Sequence, residues 1–317
     1  MTRTDATGLP GLCSTFCREL REPLAGTAVE ANGWLVVEQP GPWGAKAPTQ
    51  SHLDPELGAR IDQAAKDAGV RFGLIRSPGR HADAPPGGGS RQVYAACTVP
   101  GRTFLLAGRV DDPAELDRLD LDALASGDRD RVLASLPELA ASDEPVLLVC
   151  TNGKRDECCA LLGRPIAQAV AEQAPGRVWE SNHLGGHRFA PTVTVLPYGT
   201  MHGHLDAATA SRILAEAATG RTVLDGLRGR STWSKPGQVA EVAVRTQTGE
   251  LGLDVMTVTD ATGDTVTVTH RDGRAWMVTV SSAIAEPPRP DSCGKAPYDM
   301  TVLTAAGVVQ ARQSIHV

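Results

Sequence analysis

Apolar and polar positions along this chain fall into short blocks, and the spacing inside each block predicts an element. Residues 34–38, Trp-Leu-Val-Val-Glu, form a compact apolar run and predict a buried strand. The stretch Gln39-Pro-Gly-Pro-Trp-Gly44 follows as a loop. Asp54 ahead of Pro55 supplies an N-cap and a first-turn proline, so a helix is expected from there to about Gly69. Strands are predicted over 70–76, 92–98 and 103–109, the last two across a Pro-Gly turn, and helices over 112–124 and 129–136. The Pro- and Gly-rich residues 77–90 read as a mobile loop.

The order then repeats. Residues 145–150 are a strong apolar strand that ends at a cysteine, and 158–173 carry apolar residues at helical spacing. Strands are expected over 177–180, 192–196 and 201–205, then a helix over 206–219 capped by Asp206. Both halves read strand, helix, strand, strand, strand, helix, which predicts a structural repeat. After Gly220 the character changes. Residues 240–245, 251–260, 265–270 and 274–280 alternate as strands do, with turns at Ala261-Thr-Gly-Asp264 and Arg271-Asp-Gly-Arg274. Pro236, Pro287, Pro288 and Pro290 punctuate the ends of this antiparallel unit. The chain therefore divides into 1–143, 144–220 and 221–317.

Composition narrows the class. The 317 residues are 41% hydrophobic and 21% charged, as in an ordinary globular protein, and the formal charge of −6 argues against a nucleic-acid partner. No apolar run reaches the roughly 18–20 residues of a membrane span, and the first residues lack a signal-peptide core, so a cytoplasmic location is expected. In a reducing compartment the seven cysteines are more often buried, metal-binding or redox-active than bridged.

Two of the loops concentrate the chemistry. One runs Cys150-Thr-Asn-Gly-Lys-Arg-Asp-Glu-Cys158-Cys159, and the other is His183-Leu-Gly-Gly-His187. Thiolate and neutral imidazole are the donors that borderline and soft metals prefer. Cys158 and Cys159 open a helix, whose positive end favours thiolate. Adjacent helical residues point about 100° apart, so one of the two faces Cys150. Gly185 and Gly186 let the backbone turn tightly and place both rings on one side. Three other readings of these residues stand beside a cluster site. His-x3-His matches half of a zinc finger, without its C-x2-4-C partner. Cys158 with His187 is a possible nucleophile and base. Cys150 with Cys159 is a possible redox disulfide, although that chemistry normally uses C-x-x-C, which the chain lacks.

Other residues carry weaker signals. Asp156 is placed to cap the following helix. Cys13 and Cys17 share one helical face and read as buried or incidental, with a second ligand pair or a redox pair as alternatives. Cys97 reads as core, and Cys293 lies in a loop. His202 and His204 are expected to alternate on one strand and to share a face. Gly87-Gly-Gly-Ser90 lacks the Lys-Ser/Thr of a phosphate loop. No convincing pair of catalytic carboxylates is present, so no catalytic residue is assigned.

With its strand–Cys–loop–Cys–helix and a second donor pair three residues apart, the chain resembles a thioredoxin-like ferredoxin. His183-x3-His187 in place of a Cys pair, and Arg155-Asp156 ahead of Cys159, resemble the sucrase/ferredoxin-like family. Glu22-Pro-Leu-Ala-Gly-Thr-Ala28, Trp34-Leu-Val-Val-Glu-Gln-Pro-Gly-Pro-Trp-Gly44 and His183-Leu-Gly-Gly-His-Arg-Phe-Ala190 extend the likeness, which covers about 11–220. The resemblance implies an α/β protein with two thioredoxin-like units in tandem, the N-terminal one degenerate, followed by the small β-rich unit. It implies a [2Fe–2S] cluster held by Cys150, Cys159, His183 and His187, with Cys158 as the alternate for Cys159. An electron carrier or redox sensor then follows, served by a partner such as a flavoprotein reductase. Its potential would exceed that of an all-thiolate ferredoxin, because two imidazoles leave less negative charge on the cluster. Gly153, Gly185 and Gly186 would bring N–H groups near sulfur. Lys154, Arg155 and Arg188 would stabilise the reduced state or dock an acidic partner. Zinc in a structural or interaction module, and a thiol oxidoreductase using Cys158 or Cys159, are the alternatives.

Overall fold

The computed structural model describes residues 12–79 and 89–311. The N-terminal half runs α1 (Cys13–Glu19), β1 (Gly33–Glu38), α2 (Pro55–Asp67), β2 (Val70–Arg76), β3 (Arg91–Cys97), β4 (Phe104–Val110), α3 (Leu121–Ser126), α4 (Arg129–Ser135) and β5 (Leu139–Ala141). The next stretch runs β6 (Val146–Cys150), α5 (Glu157–Gln173), β7 (Val178–Ser181), β8 (Val193–Leu196), β9 (Thr200–His202), α6 (Ala207–Ala218) and β10 (Leu227–Arg230). The chain then forms α7 (Lys235–Thr248), β11 (Met256–Thr262), β12 (Thr265–His270), β13 (Ala275–Arg289) and β14 (Tyr298–Gln310).

The expected repeat is present in the strand pairing. β1 pairs parallel with β2 after a helical crossover, antiparallel with β3, and β3 pairs antiparallel with β4. β6 does the same with β7, β8 and β9. The halves do not stand apart. β2 pairs antiparallel with β7, which fuses them into one ten-stranded sheet, β10-β9-β8-β6-β7-β2-β1-β3-β4-β5. A separate four-stranded antiparallel sheet, β11-β12-β13-β14, closes the chain.

Period-two alternation explains where the cores lie. Leu35 and Val37 of β1 face α2 and α3, in a core with Ile61, Phe72, Leu74 and Leu124. Leu147 and Val149 of β6 face α5 and α6, with Ile166, Val170, Ile213 and Leu214. The alternate residues Trp34, Val36, Val146, Leu148 and Cys150 share a third core that both halves line, and Cys159 joins it. Local signals set the helix ends as expected: Asp54, Asp156 and Asp206 each accept an amide hydrogen bond as N-caps.

Three expectations change. Residues 240–245 are not a strand but lie in α7, which Ser234 caps and Gly249 ends. Their alternation is Ala-Glu-Val-Ala-Val-Arg, and burial of the ion pair between Glu241 and Arg245, one turn apart at 2.8 Å, lets the polar residues face inward. The predicted helix over 112–124 breaks at Leu119, giving a 3-10 turn Pro113–Arg118 and then α3, each capped by its own aspartate. β13 and β14 are far longer than the predicted 274–280 and form an extended ribbon. Residues 80–88, most of the predicted loop and including Gly87 and Gly88 of the rejected phosphate loop, lie outside the described residues.

Candidate metal centre

Cys150 is the last residue of β6, and its amide donates to the carbonyl of Thr192, just ahead of β8, at 3.0 Å. The chain then leaves the sheet through a turn in which the Arg155 and Asp156 amides both donate to Asn152 O at 3.1 Å. Asp156 caps α5 by accepting from the Cys158 amide at 3.0 Å. These two constraints, strand end and helix start, fix the sulfurs. Cys150 and Cys159 share one buried core, and His183 is near enough to favour the charged form of the Cys150 thiol. Cys158 points the other way, into a small cluster with Leu12, Cys13 and Ala190. The roughly 100° step between adjacent helical residues therefore sends the two cysteines to different places.

The second loop is held as tightly. Gly185 and Gly186 have φ of 86° and 68°, the left-handed region that glycine adopts freely. A Cβ on Gly186 would sit 2.2 Å from the Arg228 guanidinium, so the close approach also needs glycine. Arg228 is fully buried and donates to Gly185 O at 3.0 Å and to the Thr27 hydroxyl at 3.0 Å. Arg71 donates to His183 O at 2.8 Å. The two imidazoles end with ring centroids 5.3 Å apart. His187 Nε2 lies 3.7 Å from Asp156 Oδ2. The Nδ1 atoms of His183 and His187 are both buried with no hydrogen-bond partner among the described residues.

Electrostatics divide the thiol pair. The Cys150 thiol is pulled well below its ordinary pKa, first by the Cys159 thiol and then by His183 and the Leu184 N–H, against its own burial. Cys159 is pushed up by Cys150 and by burial. Burial lowers the His187 pKa and favours its neutral form. Arg188 is engaged, donating to Glu22 at 2.8 Å and stacking on Phe189 at 4.4 Å.

Elsewhere the histidine expectation changes. His202 is buried in β9 and its Nδ1 meets Asp225 O at 3.1 Å, whereas His204 lies beyond the strand with φ of 58°. The two do not share a strand face, because the chain turns out of extended conformation between them. Cys97 is buried in β3 as expected. Cys17 contacts Glu22 at 3.3 Å. Cys13 does not accompany it; Cys13, Asp156, Cys158 and Cys293 bring their donor atoms within 4.8 Å of one another, a group able to hold a metal ion. Sequence spacing carries no sign of this group, because its members come from three remote segments.

Fold and geometry together define an α/β protein with buried thiols and half-buried imidazoles near the C-terminal end of a central strand. The chain belongs to the sucrase/ferredoxin-like family, whose model matches residues 24–229. Searches of curated proteins and of solved structures gave no match. Among the described residues no helix is long and apolar enough to cross a membrane.

Proposed function

We propose that this protein is an electron carrier or redox sensor whose [2Fe–2S] cluster is held by Cys150, Cys159, His183 and His187. The supporting observation is the pair of half-buried imidazoles whose buried Nδ1 atoms have no partner, placed beside two buried thiols. A buried polar atom without a partner costs about 1–3 kcal/mol, and ligation would recover it. Cys159 rather than Cys158 fills the second thiol position, because Cys159 shares the buried core of Cys150 and Cys158 does not.

A cluster with two thiolate and two imidazole ligands supplies an electron-transfer centre of higher potential than an all-thiolate one. The chain's own residues position and charge the ligands. The Leu184 N–H favours thiolate at Cys150, and burial keeps His187 neutral. If His187 held the cluster through Nδ1, its proton would sit on Nε2, which faces Asp156 at 3.7 Å. That atom can exchange a proton as the ligand charge changes, so reduction is expected to be proton-coupled.

A cleft of about 560 Å³ lies beside the 151–154 turn, lined in part by Trp43, Arg76, Lys154 and Arg164. Its cationic rim fits an acidic face on a redox partner such as a flavoprotein reductase.

Anaerobic purification with metal analysis, visible spectroscopy and EPR tests the assignment. The expected result is a coloured protein with about two irons per chain and a reduced-state signal that shifts in His183→Cys. A colourless protein with zinc lost in His183→Ala would overturn the cluster in favour of a zinc module. A metal-free protein inactivated by alkylation of Cys158 or Cys159 would favour a thiol oxidoreductase.

A further inference from the structure

We propose that Cys13, Cys158, Cys293 and Asp156 form a second, structural metal site that takes one thiophilic divalent cation of the zinc type. The three sulfurs make a triangle with edges of 3.5 Å (Cys13–Cys158), 3.0 Å (Cys158–Cys293) and 3.6 Å (Cys293–Cys13). Both Asp156 carboxylate oxygens lie 3.9 Å from the Cys13 sulfur. Tetrahedral coordination with Zn–S bonds of about 2.3 Å separates sulfurs by roughly 3.8 Å, so the edges need to open by about 0.2–0.8 Å. Three thiolates and one carboxylate are a zinc donor set. Calcium and magnesium want six or more oxygens, which the group does not offer.

The surroundings are built for this purpose. Thiols are weak hydrogen-bond donors and acceptors, so packing three sulfurs together gains little by itself. Asp156 is held by the Cys158 amide at 3.0 Å, the Cys293 amide at 2.9 Å and the Ser292 hydroxyl at 2.8 Å. The Ser14 hydroxyl donates to the Cys158 sulfur at 3.3 Å. Such outer hydrogen bonds orient ligands and stabilise thiolate in metal sites. Cys13 and Cys158 are buried and Cys293 is half-buried, which leaves a route for entry. The site ties together α1, the start of α5 and the loop between β13 and β14. Cys13 and Cys293 both lie outside residues 24–229, the stretch that matches the family model. It stands whether or not the neighbouring Cys–His set holds iron. A disulfide uses two sulfurs and leaves the third, and 3.0 Å is far from the ~2.05 Å of an S–S bond.

The test uses the full chain, purified under reducing conditions, with zinc and iron measured together. Wild type is expected to hold one zinc per chain. Cys13→Ser and Cys293→Ser should each weaken zinc at least tenfold in competition with a chromophoric chelator, with iron content and visible spectrum retained. His183→Ala should lose iron and keep zinc. Cobalt added to apo His183→Ala should give thiolate-to-metal charge-transfer absorption, a readout that needs no folding-sensitive change at the site. Zinc unaffected by either serine variant, zinc lost with His183→Ala, no cobalt–thiolate absorption, or an intact mass two hydrogens light from a Cys158–Cys293 disulfide would each overturn the proposal.

Discussion

Replacing Gly163 with alanine tests the strand-to-helix packing that brings Cys150 and Cys159 together. On an open helix surface this change stabilises, by about 1 kcal/mol. Here the sign reverses. Gly163 lies on α5 against the end of β6, and a Cβ there would sit 2.2 Å from the Cys150 carbonyl oxygen and 3.3 Å from its carbon. Ordinary contact needs more than 3 Å, so α5 must recede on the order of 1 Å. The opposing atoms are backbone and cannot rotate away, and the Cys150 amide is itself bonded to Thr192. Cys159 lies one turn earlier on the same face, so the retreat pulls its sulfur from that of Cys150. Overpacking of this kind costs about 1–3 kcal/mol, only partly offset by helix propensity, which leaves a net loss of about 0–2 kcal/mol. The expected outcome of Gly163→Ala is a modestly lower urea midpoint with a clear fall in bound iron. Leu161, 47% exposed on the same helix, is the control, and Leu161→Ala should change stability by less than about 0.5 kcal/mol. A Gly163→Ala protein that is more stable than wild type and keeps its full metal would refute the packing argument.

The two halves should also come apart at a buried ion pair. Arg76 and Glu180 meet at 2.8 Å, both buried, with Thr151 donating to the same carboxylate at 2.9 Å; Glu180→Ala should cost about 3–5 kcal/mol in urea unfolding, and Arg76→Met with Glu180→Leu should recover much of it. A double variant no better than the single one would sink that reading. Burial lowers the His202 pKa from 6.5 to about 4. The unfolded chain then binds the proton first, so the stabilisation is full above about pH 6.5 and lost as pH falls toward 4, by about 3 kcal/mol. His202→Asn should flatten urea midpoints between pH 7 and 5, and an unchanged slope would count against it. Arg228→Met frees the carbonyl groups of Gly185 and Thr27, and should reduce iron retention more than it reduces zinc; equal losses of both would point to general unfolding.

Much of the fold was legible because its signals are local. The apolar runs of β1 and β6, the Asp-Pro start of α2 and the Asp206 cap each act over a few residues, and the matching order of elements exposed the repeat. What failed depends on partners distant in sequence. Residues 240–245 alternate like a strand, and only the packing of Val239, Ala240 and Val244 against Val266, Val268 and Trp276 makes the helix. Its Ser234 cap and Gly249 stop were readable, but the alternation outweighed them. The proline cluster at 287–290 reads as a terminator, yet Pro287 and Pro288 lie within β13, near its end, where the pairing with β14 is interrupted between Ala285 and Arg289. Fusion of the halves through β2 and β7 rests on two residue pairs, which no spacing rule anticipates.

The adjacent cysteines were the sharpest ambiguity, and the helix sends them to different neighbours. A single first turn of α5 presents Cys159 to Cys150 and Cys158 to Cys13 and Cys293, so neither is a spare copy of the other. Asp156 stands between the two directions. Its carboxylate caps the helix, takes the Cys293 amide and the Ser292 hydroxyl, and faces His187 Nε2 at 3.7 Å. Charge placed on one side of that carboxylate is therefore felt on the other at short range and in a dry setting, where screening is weak. A divalent cation held by three thiolates and the carboxylate leaves this site more negative than the empty site, whose thiols take back their protons. Loss of that cation should then make His187 harder to protonate, and the pH dependence of any redox activity would shift downward in Cys293→Ser without a change in the four residues proposed for the cluster.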